Sequence, residues 1–549
     1  MSEFEPQQVG RRILTAAANQ PFNNPLRARA KVLLTGSMDR LISGVDWRGV
    51  LAFTAPLIVY LLTIAPTIYN LDSAELTTAA YTGGLMRATG YPLYLSIGYF
   101  WSRLPLGDVG LRMNLFSAVC GAMTIFLADR ILRRWQIGGW SALGALGLLA
   151  LSTYFWGLSL VAEVYTLHTA IMAGFILALL RWSDEPTPAR MVWVGLLGGL
   201  GLAHHAAMVL LGPASLVYIA ISHPRKAVTS RSIVAAAVGT LIGLSPYLYL
   251  PLRFQSNPVF NYAGIYDAYL RFSPVDLTTY QGLWWLVSGR SFAGMMMAYH
   301  GADLWAEVMH FLSQLGRAFF AVGIGPGLLG IAVLIRRQWR EALLLGLMFL
   351  FNAGFYINYR VMDKDTMYLP VYLIWALWVA LGYQQLLDWL AQIELSKFQR
   401  YSQFGFRAAV LSFVLLTAAW NWHIVDLSSD WSTRQRGEAI LQHAEANALV
   451  FGWWDTVPVV QYLQLVEGQR PDIQAINRFL IRPEDLAQAI RKEVGNRPIY
   501  IDSSAKYIST SLLAVPEGPV YRIVTRERRA NAKQHQNTLS GGQIINPGR

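Results

Sequence analysis

The 549-residue chain is poor in charge and in cysteine. Only 14% of its residues are Asp, Glu, Lys or Arg, against about 25% in soluble domains. There is one cysteine, Cys120. That excludes an intrachain disulfide or a cysteine metal centre, and its apolar surroundings make it a packing residue. No Gly-x-x-x-x-Gly-Lys phosphate loop, Gly-x-Ser-x-Gly elbow or His-Glu-x-x-His zinc motif is present, so ATP-driven pumping, serine hydrolysis and zincin chemistry have no sequence support. No internal repeat is evident. The first residues lack a short apolar run followed by a small-residue cleavage site, and no cleaved leader is expected.

What is abundant is apolar: 54% of the residues are hydrophobic, with 19 Trp and 26 Tyr. The apolar residues fall into runs at 49–66, 113–132, 138–155, 164–181, 190–204, 206–222, 231–250, 319–335, 341–357, 368–387 and 406–422. These predict an α-helical polytopic membrane protein with about eleven spans. The net charge of +12 is dispersed in small basic groups between the runs, a topology signal and not a nucleic-acid footprint. Arg130/Arg133/Arg134, Arg181 to Arg190, Arg225/Lys226/Arg231, Arg336/Arg337/Arg340 and Lys397/Arg400/Arg407 all fall on one side in a single alternation. By the positive-inside rule the N-terminus is cytoplasmic and the C-terminus extracytoplasmic, as in a bacterial plasma membrane.

Four segments follow. Residues 1–48, with seven Lys/Arg and four Asp/Glu, form a cytoplasmic arm with a surface helix near Arg27–Ile42. Residues 49–422 form the transmembrane domain, with outside loops 67–112 and 251–305. Within the first loop, Gly90–Leu104 is too short to cross and is expected to be re-entrant. Residues 423–526 form a small extracytoplasmic α/β domain, with helices near 432–446, 457–467 and 483–494 and strands at 448–451 and 498–502. Residues 527–549 are a disordered tail.

Among the candidate site residues, Asp72 and Glu75 stand out. They are three apart, on one helix face at a membrane edge. Either could be a general base that deprotonates a hydroxyl. Equally, an Asp at an N-cap with Glu three residues on approaches a capping box. Glu163, with Tyr165 and His168, lies at the outer end of the fourth span. It is either a second cavity carboxylate or a Glu favoured by the helix dipole. His204 and His205 are a donor subsite or a solvated turn. Arg253 suits a lipid phosphate, with Arg271 and Arg290 competing, or it snorkels. Arg360, Asp363, Lys364 and Asp365 crowd a short outside loop. They could hold a sugar, a phosphate or, through the two Asp, a divalent cation, or simply pair with one another. Trp284-Trp285 and Trp453-Trp454 could stack on sugar rings, or belong to core and belt. No metal or cofactor is required by this set.

Asp72-Ser-Ala-Glu75, Thr89-Gly90-Tyr91-Pro92-Leu93-Tyr94 and Arg112-Met-Asn114, in that order, resemble a membrane O-mannosyltransferase family. It comprises the enzyme that mannosylates plexin-type domains and many bacterial relatives. Ala162-Glu163-Val-Tyr165, Gly201-Leu-Ala-His204 and Pro251-Leu-Arg253 with Asn257-Pro258 extend the likeness. The chain departs from the family pattern at Ala74, where Gly is usual, and at Arg87-Ala-Thr89, where His-Pro-Pro is usual. The resemblance implies a GT-C glycosyltransferase that takes a hexose, mannose-like, from a polyprenyl-phosphate carrier. An acidic base in the first outside loop would activate a hydroxyl of an acceptor protein, glycan or lipid. A transporter or lipid-sugar flippase, or a non-catalytic assembly protein, would share the spans but not the transfer chemistry.

Overall fold

A computed structural model describes residues 46–70, 72–392, 396–453, 455–503 and 511–526. The expected surface helix near Arg27–Ile42, residue Trp454 and the tail 527–549 lie outside the described residues. The chain divides into Met1–Leu51 and Ala52–Arg549. Of the first unit, residues 46–51 are described, and they run into helix Trp47–Thr63.

Each of the eleven apolar runs lies on helix. Among the described residues, six helices are long and apolar enough to cross a bilayer: Val109–Arg134, Tyr165–Asp184, Ser230–Gln255, Trp339–Ile357, Lys364–Ala391 and Gln399–Val425. The other runs form shorter helices, such as Trp47–Thr63 and Gly139–Ala150. The chain is thus a helical integral membrane protein, and its firmly identified spans are fewer than the eleven expected. Helix Gly301–Ala318 was not anticipated. It is amphipathic, with Asp303, Glu307, His310 and Arg317 among its residues, and so it breaks the apolar run that marks a span.

Glycine sets the closest helix contacts. Pro188–His204 and Ser230–Leu244 each carry two glycines four apart, Gly195 and Gly199 against Gly239 and Gly243. A Cβ at Gly239 would stand 2.2 Å from the Val192 carbonyl, and one at Gly195 2.3 Å from that of Ala236. Only hydrogen fits there, and close backbone approach replaces the hydrophobic drive that lipid does not supply.

Short elements fill the segment after the first helix: Ser73–Thr82 and then Pro92–Trp101. The latter covers the stretch expected to be re-entrant. The loop 251–305 holds a hairpin of β1 (Gly264–Tyr266) and β2 (Phe272–Pro274).

The C-terminal region contains a five-stranded sheet. Its strands are β3 (Leu449–Gly452), β4 (Gln474–Asn477), β5 (Ile499–Ile501), β6 (Leu512–Glu517) and β7 (Val520–Thr525), in the order β4-β3-β5-β7-β6. β3 is parallel to both β4 and β5, while β7 is antiparallel to β5 and β6. Alternate strand residues serve two cores. Val450 and Tyr500 face Ile440, Val460 and Leu463, whereas Leu449, Phe451, Ile499 and Ile501 face Leu486 and Ile490. Strands buried on both faces read as continuous apolar runs, and so β3 and β5 were visible in sequence.

The sheet region packs directly on the first loop. Ile68 and Ala74 share a core with Val459 and Tyr462. The Tyr462 hydroxyl donates to Asp108 Oδ2 at 3.0 Å.

Candidate active site around Asp72 and Glu75

Asp72 precedes helix Ser73–Thr82, but it is not a cap. Its backbone is already helical (φ −78°, ψ −7°) and its side chain accepts no capping hydrogen bond. The capping-box alternative is therefore corrected. The carboxylate turns to Arg87 instead. Arg87 Nη2 donates to Asp72 Oδ1, and Nε donates to Glu75 Oε1 at 2.9 Å. One guanidinium thus bridges both acids, a geometry its planar fork suits.

A chain reversal at Gly83 brings Arg87 there. Helix Ser73–Thr82 ends at Gly83 in the left-handed region, φ +64°. A Cβ on Gly83 would also lie 2.8 Å from Arg253 Nη2, so glycine is required twice over. Beyond Arg87, Tyr91 holds φ +44° ahead of Pro92 at the start of the next helix. A tyrosine in the left-handed region is strained, and such strain gathers at functional sites.

The two carboxylates are not equivalent. The Asp72 side chain is 18% exposed and that of Glu75 0%. Glu75 Oε2 has no hydrogen-bond partner among the described residues. Burial pushes the Glu75 carboxyl up to about 7, opposed by Arg87 and reinforced by the charge of Asp72. A carboxyl raised in the folded state contributes stability that is full below its ordinary value of 4.5 and lost as pH rises through about 7. Thermal unfolding should therefore show wild type losing stability relative to Glu75→Gln as pH climbs through that window. A difference between the two proteins that stays flat with pH would contradict this assignment.

Glu163 joins the site. It lies just before helix Tyr165–Asp184, and its carboxylate takes the backbone amide of Asp72. Burial holds Glu163 well above the usual carboxylate range, helped by the negative charges of Asp72 and Asp363. Asp363 is raised as well, by burial first and then by Asp72. Three acids from three separate segments thus share a field with one arginine. An acidic group built so strains to hold its negative charge and favours a cationic, proton-donating or hydroxyl-bearing guest.

Tyr91, Tyr165 and the histidines line the flank. The His205 ring lies 5.7 Å from Tyr91, 6.4 Å from Tyr165 and 5.2 Å from His168. His204 is 1% exposed, with Nε2 hydrogen-bonded to the Val164 carbonyl at 2.8 Å. A solvated His-His turn is thus corrected: His204 is buried, and His205 Nδ1 accepts the amide of Ala207.

The remaining candidates divide. Arg253 donates from Nε and Nη2 to the carbonyls of Gly83 and Thr82, so it braces the end of the Asp72 helix. The loop Arg360 to Asp365 splits in two. Asp363 belongs to the acidic group. Lys364 pairs with Glu307, and Asp365 is held by His310 at 2.9 Å, Gln314 at 2.8 Å and Tyr154 at 3.1 Å. The two Asp thus face different partners and do not form a paired cation site. Arg360 is exposed, its guanidinium 4.7 Å from the Tyr299 ring. Arg271 pairs with Asp267, and Trp284 stacks on Tyr280. Neither joins Asp72.

Two residues of the site escaped the sequence. Arg87 was visible only as a departure from the family pattern. Phe479, in the turn after β4, carried no signal at all, yet Arg87 lies 5.4 Å from its ring centroid.

With this geometry in place, comparison with known proteins is informative. Residues 72–228 match the model of the protein O-mannosyl-transferase TMEM260 N-terminal domain. A protein O-mannosyl-transferase tmem260 of Dictyostelium discoideum is 22% identical over 483 residues, covering 78% of this chain and 56% of that protein. TMEM260 of Mus musculus is 28% identical over 217 residues, covering 38% of this chain and 31% of that protein. The chain therefore spans about half or less of the curated relatives it matches. Among solved structures, ArnT from Cupriavidus metallidurans superposes with a TM-score of 0.55 at 13% identity, covering 86% of this chain and 97% of that one. Its form bound to undecaprenyl phosphate gives 0.53 at 14% identity over the same shares. The Archaeoglobus fulgidus oligosaccharyltransferase gives 0.52 at 12% identity, covering 83% of this chain and 70% of that one. The resemblance read from the Asp72, Thr89 and Arg112 segments is borne out: the chain is similar to the TMEM260 protein O-mannosyl-transferases and has the fold of the GT-C glycosyltransferases.

Proposed function

We propose that the chain is a membrane glycosyltransferase that moves a hexose, mannose-like, from a polyprenyl-phosphate donor to an acceptor hydroxyl on the extracytoplasmic face. One observation carries the reading: Asp72 is the partly exposed member of a buried acid pair bridged by Arg87. Its fold neighbours include a protein solved with undecaprenyl phosphate, and its relatives are named protein O-mannosyl-transferases. A hydroxyl on a protein is accordingly the favoured acceptor over a glycan or a lipid.

In this mechanism the acceptor O–H gives its proton to Asp72 as its oxygen attacks the anomeric carbon. The bond from that carbon to the phosphate oxygen breaks, and the electron pair leaves with polyprenyl phosphate. The phosphate is already anionic, so a general acid is dispensable, and one displacement inverts the anomeric centre. Glu75, wholly buried, orients Arg87. Glu163, Tyr165 and His205 flank the sugar. Arg360, exposed beside Asp363, suits the donor phosphate better than Arg253, whose guanidinium is occupied by carbonyls. No metal or cofactor takes part. The lipid tail would lie between spans, the N-terminus in the cytoplasm, and residues 423–526 outside as the domain nearest the acceptor.

Purified protein given a labelled polyprenyl-phosphate mannose and a candidate acceptor protein should release polyprenyl phosphate and label the acceptor. Movement of intact donor across a vesicle bilayer, without cleavage, would overturn this in favour of a flippase.

A further inference from the structure

The sheet region meets Arg87 at the turn after β4, and that turn is well braced. The turn Arg478–Leu480 follows β4. Asn477 fixes its start: Oδ1 accepts the Phe479 amide at 3.0 Å, and Nδ2 donates to the Tyr262 hydroxyl at 3.4 Å. Arg478 is ion-paired with Asp502, both side chains 5% exposed, and also donates to Ser503 Oγ at 2.7 Å. Asp502 stands at the end of β5, and its Oδ2 accepts the amide of Trp453 beyond β3 at 2.7 Å. The carboxyl ends of three parallel strands thus lock a single turn. Phe292 stacks on the Phe479 ring, centroids 5.9 Å apart. What this scaffold delivers is an aromatic face 5.4 Å from the Arg87 guanidinium.

We propose that Phe479 is a positioning residue for the transfer reaction, holding Arg87 in the orientation that bridges Asp72 and Glu75. This rests on the glycosyltransferase reading above. Arg87 Nε and Nη2 point at different carboxylates, so the tilt of its plane decides whether both bonds hold. A ring against its face fixes that tilt without adding a polar group that would compete for the acids. The sheet region then completes the active site: the loop 67–112 supplies Asp72, Glu75 and Arg87, and the turn after β4 sets a ring against the guanidinium.

Steady-state kinetics of Phe479→Leu and Phe479→Tyr, in the full-length protein, test this. Phe479→Leu should lower kcat about tenfold, the weight of one partly desolvated cation–π contact. The KM for donor should be unchanged, and the acid limb of the kcat–pH profile should move to higher pH as Arg87 loosens from the acids. Phe479→Tyr, which keeps the ring, should stay within about threefold of wild type. Equal kcat in both variants, with the pH profile unmoved, would overturn the proposal. Equal losses of kcat in Leu and Tyr variants that both unfold at lower temperature would overturn it too, by reducing Phe479 to a packing residue. Failure of wild type itself to cleave the donor would instead count against the glycosyltransferase reading.

Discussion

Asp72→Asn is expected to lower turnover by about 10²- to 10⁴-fold, the range that a positioned general base supplies. The amide is isosteric, still fits beside Arg87, and cannot take the proton of the acceptor hydroxyl. Donor binding should change little, because the acid acts on the acceptor. Thermal unfolding should change less than in a variant of Arg87, because the amide oxygen introduced by Asp72→Asn can still accept from Arg87 Nη2. Glu75→Gln gives the contrast. Its side chain is fully buried and cannot meet an acceptor in this conformation, so its loss should act through Arg87 and cost activity less steeply. Transfer assays on the two variants, with unfolding followed in parallel, separate these roles. Equal losses would remove the distinction between base and positioning acid. A near-wild-type Asp72→Asn would remove the base altogether.

Arg87→Ala should be the most destabilising single change at the site, by about 3–5 kcal/mol, because it strands a buried carboxylate without its counter-charge. Glu75 is the group left exposed to that cost: its Oε2 is already without a partner among the described residues. The double variant Arg87→Ala/Glu75→Gln removes the stranded charge and should recover most of the lost stability, with activity still absent. Arg87→Lys keeps the charge but not the fork, and one ammonium cannot reproduce the bond to each acid. It should fold and turn over poorly. Denaturation midpoints of the four proteins, read as a double-mutant cycle, check the coupling. Additive losses from Arg87→Ala and Glu75→Gln would show that the pair is not energetically linked.

What could be read from the sequence follows from the range of the interactions. The helices were legible because bilayer helices announce themselves as apolar runs. Gly301–Ala318 was missed because Asp303, Glu307, His310 and Arg317 interrupt that pattern. β3 and β5 were legible as buried apolar strings, while β4, β6 and β7 were not: β4 is buried but carries Gln474 and Asn477, and β6 and β7 are mostly half-buried. Asp72, Glu75 and Glu163 were found because carboxylates are scarce beside spans. Whether Asp72 capped its helix could not be decided there, since a cap and a catalytic acid ask for the same residue. The answer lay in Arg87, twelve residues past Glu75 and returned by the turn at Gly83. Arg253 looked free to meet a phosphate because its partners are backbone carbonyls, which leave no mark in sequence. Phe479 is some four hundred residues from the acids it serves, and only the packed sheet places it there.

The most direct measurement is a structure of the protein with a polyprenyl-phosphate mannose bound. The anomeric carbon should face the Asp72 carboxylate across the space for one hydroxyl, with the phosphate on the far side of the sugar. A donor phosphate seated away from the Asp72, Glu163 and Asp363 group would contradict the assignment of this cavity as the site of transfer.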